Sequence, residues 1–173
     1  MELLIPQDEA APDFSLPDLD DARHTLKDYL GRVVVLNFWS AECPWSRRAD
    51  EIFTSQLAEL APEVKVLSIA SNINEPREEL FEEARQRGIE PLLIDQDHAI
   101  ADLYRAQTTP HYFVIDRDGI LRFQGAPDNA TFRQKEATED YLLSAVRAVM
   151  AGRKPDPNRS MPYGCTIVRH ALN

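Results

Sequence analysis

The sequence predicts an α/β fold, a central mixed β-sheet flanked by helices on both faces, and three observations carry it. Six of the seven residues in Val33–Trp39 are apolar, the mark of a strand covered on both sides. A second apolar run, Val64–Ala70, follows a segment with Ile52, Phe53, Leu57 and Leu60 at helical spacing, so the two strands are joined by a helix. Downstream, Tyr112–Asp116, the turn Arg117-Asp118-Gly119 and Ile120–Phe123 make an antiparallel hairpin pattern. Strand, helix, strand, helix, then hairpin and helix combine a parallel half with an antiparallel half.

The elements follow in order. Residues 10–21, rich in Pro and Asp, read as an extended segment. Thr25 is placed to cap a short helix over Leu26–Leu30, which Gly31 ends. The strand Arg32–Trp39 comes next, and a helix runs from Pro44 until Pro62 stops it. After Val64–Ala70, Asn74-Glu75-Pro76 opens a charged helix that Gly88 closes, and a brief apolar run covers Pro91–Ile94. Ala99–Tyr104 reads as a short helix ahead of the hairpin. The last helix is expected from about Thr138, with acids in its first turn and Leu142, Val146 and Val149 on one face, ending at Gly152. Residues 1–152 thus form the domain. Residues 153–173 form a Pro-rich tail that carries Cys165 and packs on that same domain.

At 173 residues a single core suffices. A net charge of −10, with no dense basic stretch, argues against nucleic acid and anionic membrane surfaces as partners. Two cysteines do not make a disulfide scaffold, so the fold must stand on its core. Around the short apolar run Leu3-Leu4-Ile5 lie acids where a signal peptide would be basic, and a cytoplasmic location is expected. The four histidines and two cysteines lack dense ligand spacing, Cys165 with His170 being a weak pair, so neither metal nor cofactor is expected.

The chemistry centres on Cys43. It leaves the end of the buried strand and caps the helix that Pro44 begins, where unpaired N–H groups and the helix dipole favour thiolate over thiol. That placement describes a nucleophile. A buried cysteine acting as a small apolar residue is the bland alternative. Glu42, next in the chain, opposes ionisation.

Several separated motifs carry a family resemblance. Ala11-Pro12-Asp13-Phe14-Ser15-Leu16, Leu36-Asn37-Phe38-Trp39-Ser40-Ala41-Glu42-Cys43-Pro44, Thr108-Thr109-Pro110 and the hairpin after it resemble the thioredoxin-fold redoxins, between TlpA/ResA-type oxidoreductases and AhpC/TSA peroxiredoxins. The tail, with Gly164-Cys165-Thr166-Ile167, resembles a redoxin subgroup ending in Gly-Cys-x-Ile. The resemblance implies a thioredoxin-like fold, a reactive Cys43 and a cis-proline loop at Pro110. The departures narrow the reaction. Ser46 stands where thioredoxin-like enzymes have their second cysteine; it either donates a hydrogen bond to the Cys43 thiolate or is an ordinary polar residue of a first helical turn. Ser40 matches the hydroxyl that orients peroxide in peroxiredoxins, but Leu36 replaces a proline and Pro110 falls where the peroxide-polarising arginine belongs. Arg47 or Arg48 would have to substitute, or else they face solvent.

A lone active-site thiol can be completed by a resolving cysteine elsewhere, and the thirteen steps from Gly152 to Cys165 are enough to reach. Cys165 either closes a disulfide with Cys43 or is a passenger of a packed edge. The expected activity is a thiol-disulfide oxidoreductase using Cys43, Cys165 and Ser46. The alternatives are a weak thiol peroxidase and a non-catalytic binding module. Partners are a thiol or disulfide substrate, protein or small molecule, and a reductant; the chain is a monomer or homodimer. Trp39, Ser40, Pro44, Trp45, Thr109, Pro110 and His111 are the substrate-binding candidates, with Trp39, Trp45 and Tyr112 as an apolar wall and His111 as a cation near the thiol or a ring turned to solvent.

Overall fold

The computed structural model describes residues 3–170. Five strands form the central sheet, in the order β5 (Leu92–Ile94), β4 (Val64–Ala70), β3 (Val33–Trp39), β7 (His111–Ile115) and β8 (Leu121–Gly125). β3 pairs parallel with β4 and antiparallel with β7, with Val35 opposite Val66 on one side and Val114 on the other. Every residue of β3 and of β7 is buried, which is why both read as continuous apolar runs.

α1 (Pro44–Ala58) and α4 (Leu142–Met150) cover one face, where Val33, Val35, Phe53, Tyr112, Val114, Leu142 and Val146 pack together. α2 (Arg77–Arg87) places Leu80 and Ala84 against Trp39 and Leu92. The N-terminal segment and α3 (Ala99–Leu103) cover the opposite face, over Val34, Leu36, Phe38, Ile69 and Phe113. Gly88 ends α2 at φ 69°, a left-handed conformation that a side chain disfavours.

Four expectations are corrected by the fold. Residues 10–21 are not simply extended: Ser15–Pro17 (β1) and Arg23–Thr25 (β2) pair as a small antiparallel sheet, too short to leave a periodic signal. The turn after Thr25 is a 3-10 helix of three residues, Lys27–Tyr29, held by reciprocal bonds between Thr25 and Asp28. The last helix starts at Leu142 rather than near Thr138, because Asn129 captures Thr138 and Glu139 through its side chain. Its first turn therefore carries no acid. Asp140 just outside accepts from the Leu143 amide instead.

The tail reaches the core through one residue. Cys165–Thr166 (β9) pairs antiparallel with Thr108–Thr109 (β6). Two residues on, Ile167 is 3% exposed and packs with Phe38, Tyr104 and Phe113.

Candidate active site

The chain leaves β3 through a turn built on Ser40. Its hydroxyl accepts from the amides of Glu42 and Cys43, at 3.2 and 3.1 Å, which aims Cys43 at the N-terminus of α1. Cys43 is the N-cap in extended conformation and Pro44 follows at the first helical position, where its missing N–H costs nothing. Arg87 secures the same turn from α2. Its guanidinium lies 4.8 Å over the Trp39 ring, pairs with Asp50 at 3.2 Å, and donates to the carbonyls of Ser40 and Ala41.

Cys43 and Cys165 are joined by a disulfide, with Cα atoms 6.1 Å apart. Cys43 is 4% exposed, and Cys165 is half-buried. The Thr109 carbonyl lies 3.1 Å from the Cys43 sulfur, just before the cis Thr109–Pro110 peptide. Gly164 brings the tail this close: a Cβ there would collide with the Thr109 carbonyl, and its φ of 155° disfavours a side chain in any case. Trp45, half-buried in the first turn of α1, meets Tyr163 edge-to-face at 5.0 Å. Pro44 stays exposed.

Not every expected group faces the sulfurs. Ser46 is buried, and its hydroxyl accepts from the Ser40 amide at 3.1 Å, so it braces the turn instead of bonding to Cys43. Ser40 itself is buried with its hydroxyl in use. Trp39 is core, its indole N–H donating to Asp50 at 2.6 Å, and Tyr112 packs on Phe53; neither walls a substrate site. Arg47 and Arg48 pair with Glu83 and Asp128, which engages both guanidinium groups away from the role of a peroxide clamp.

His111 is neither a cation nor turned to solvent. It is fully buried, stacks on Phe113 at 4.7 Å and accepts the Gln107 amide through Nδ1, which leaves the proton on Nε2. Burial pushes its pKa down to about 3. Below pH ~6.5 the unfolded chain therefore binds a proton that the folded chain refuses, and stability is lost as pH falls toward 3 at about 1.4 kcal/mol per unit. Urea unfolding at pH 7 and pH 5 should differ by about 2 kcal/mol more in the wild type than in His111→Gln. Equal losses in the two proteins would sink the assignment.

Residues that sequence reasoning missed complete the site. Glu75, between β4 and α2, reaches the Ser40 hydroxyl and the Ala41 amide, at 2.5 and 2.6 Å. Asn72 binds Glu75 and the Val168 amide of the tail. Nothing in the local pattern Asn72-Ile73-Asn74-Glu75-Pro76 marks either one, since the Cys43 turn and the tail that they reach lie more than 30 residues away in sequence.

The AhpC/TSA family model matches residues 8–124. The thiol-disulfide oxidoreductase ResA of Geobacillus thermodenitrificans is 33% identical over 113 residues, covering 65% of this chain and 64% of that protein. The ResA of Bacillus anthracis is 33% identical over 136 residues, covering 76% of this chain and 74% of its own length. Among solved structures, a hypothetical protein of Sinorhizobium meliloti superposes with a TM-score of 0.88 at 28% identity, over 97% of both chains, so the tail has its counterpart there. This chain therefore spans just under two thirds of the first of these relatives and nearly all of the last. With the five-stranded sheet, the cysteine at the N-terminus of α1 and a family match over most of its length, the chain belongs to the AhpC/TSA family, in a thioredoxin-like fold.

Proposed function

We propose that this protein is a thiol-disulfide oxidoreductase whose redox couple is Cys43 and Cys165. The observation that carries the reading is the pairing of β6 with β9, which sets the two cysteines, 122 residues apart in sequence, at bonding distance. ResA relatives with that activity in their names support it.

In the reduced protein Cys43 sits where the α1 dipole and free amides favour its thiolate. That thiolate attacks one sulfur of a substrate disulfide, forming a mixed disulfide and expelling the other sulfur as thiolate. The Cys165 thiolate then attacks the Cys43 sulfur, so the mixed bond breaks and the substrate leaves as a dithiol. The substrate gains two electrons, and the Cys43–Cys165 bond stores the oxidation until an external thiol reductant reopens it. The same steps reversed would oxidise a dithiol. Ser46 and Ser40 serve this chemistry by holding the turn, while Thr109, Pro110, Pro44, Trp45 and Tyr163 frame the sulfurs. A peroxide substrate would need a cation at the leaving oxygen, and the pairing of Arg47 and Arg48 with carboxylates disfavours that route.

Intact-mass measurement under mild oxidation tests the reading. The wild type should lose two hydrogens and Cys165→Ala should not. Two persistently free thiols in the wild type would overturn it.

A further inference from the structure

The Cys43 turn and the tail are also linked by a path that does not pass through the disulfide. Glu75 is 8% exposed and, among the described residues, forms no ion pair. Its carboxylate is satisfied by three donors: the Ala41 amide on Oε1 at 2.6 Å, and the Ser40 hydroxyl and Asn72 side-chain amide on Oε2, each at 2.5 Å. On one side the Ser40 hydroxyl accepts from the Cys43 amide. On the other, the Asn72 carbonyl oxygen accepts from the Val168 amide at 2.8 Å, and the Ile73 amide donates to the Val168 carbonyl at 3.1 Å. A continuous run of hydrogen bonds thus joins the backbone of Cys43 to the third residue after Cys165.

We propose that Asn72 and Glu75 are positioning residues that hold Cys165 opposite Cys43 in the reduced protein, and so set how readily the disulfide closes. The proposal deepens the oxidoreductase reading and rests on it. The chemistry of the pair is specific. Asn72 must donate to a carboxylate and accept from an amide at once, which a primary amide side chain does and neither carboxylate nor hydrocarbon can. Glu75 serves both sides: the same carboxylate orders the turn that aims the nucleophile and, through Asn72, the strand that brings its partner. When the S–S bond opens, this bridge and the buried Ile167 remain. Cys165 therefore faces Cys43 at high effective concentration, as a second cysteine within the same helical turn would.

The test is the equilibrium of the full-length protein with glutathione, read as the effective concentration of Cys165 toward Cys43. Asn72→Ala removes two hydrogen bonds and should lower that concentration about tenfold. Val168→Pro deletes the amide from the tail side and should give a fall of similar size. In a Cys165→Ala background, Asn72→Ala should leave the alkylation rate of Cys43 within about twofold, because Ser40, Ala41 and Glu75 still hold the turn. The proposal is overturned if the wild type forms the disulfide and both variants match it within twofold. It is equally overturned if Cys43 alkylation shifts as much as the equilibrium, since the effect would then lie in the turn and not in the placing of the tail. A wild type that forms no disulfide would remove the oxidoreductase reading itself.

Discussion

Reduction of the Cys43–Cys165 disulfide is expected to lower the melting temperature by about 10 °C while leaving the protein folded. The bond closes a loop across a sequence separation of 122 residues, and the chain-entropy treatment gives such a loop roughly 4–5 kcal/mol of stabilisation, acting on the unfolded chain. For a domain of this size each kcal/mol corresponds to about 2–4 °C. The fold should survive because the tail is held independently: Ile167 is in the core, its amide donates to the Gln107 carbonyl, and Arg169 binds Asp102 and the Ala106 carbonyl. Scanning calorimetry with and without a thiol reductant measures the difference, with the Cys43→Ser/Cys165→Ser double variant as the reductant-insensitive reference. Transitions within about 2 °C of each other would contradict the expectation.

Arg87→Met should cost about 3–5 kcal/mol, the second large effect. Arg87 is the buried cation for Asp50, and removing one partner of a buried pair leaves the other charge uncompensated. The Trp39 indole would be the remaining donor to Asp50 at 2.6 Å, and the Ser40 and Ala41 carbonyls would lose theirs. Burial already raises the Asp50 pKa above its ordinary value against the opposing pull of Trp39 and Arg87; without the guanidinium it rises further. A raised carboxyl pKa means that the folded chain binds a proton the unfolded chain has released, so this group's contribution to stability falls as pH rises through that window. The gap between wild type and variant should accordingly be wider at pH 8 than at pH 5 in urea unfolding. A loss under about 1 kcal/mol, or a gap indifferent to pH, would refute the account.

The central architecture was legible because its signals are local. Val33–Trp39 running into Cys43-Pro44 states a buried strand and a helix start within a dozen residues, and the turn at Gly119 states the hairpin. Cys165 was legible as a possible partner from the missing second cysteine of the active-site turn and the reach of the tail, but its seat on Thr109 was not, because two-residue strands have no pattern. The orientation of Ser46 could not be read either: a hydroxyl in a first helical turn has the strand end and the preceding cysteine both within reach, and here the Ser40 amide takes it. His111 was misplaced for a related reason. In a strand buried on both faces, alternation no longer says which way a ring points, and a histidine reads as polar where it is in fact sealed. Glu75 read only as part of the helix opening Asn74-Glu75-Pro76 and Asn72 carried no signal at all, and only the packing of this segment against the Cys43 turn and the tail gives them a meaning.

The edge-to-face contact of Trp45 with Tyr163 gives the molecule a built-in optical reporter. Of its two indoles, Trp39 is sealed beneath Arg87, remote from any change in solvent, while Trp45 rests on a ring two residues ahead of Cys165. The insulated fluorophore supplies a constant background and the other lies against the segment that carries Cys165, so a departure of the tail from its seat should be readable in emission without a label. Unseating of the tail, as distinct from opening of the bond between the two sulfurs, is thereby displayed by aromatic side chains that exchange no electrons themselves.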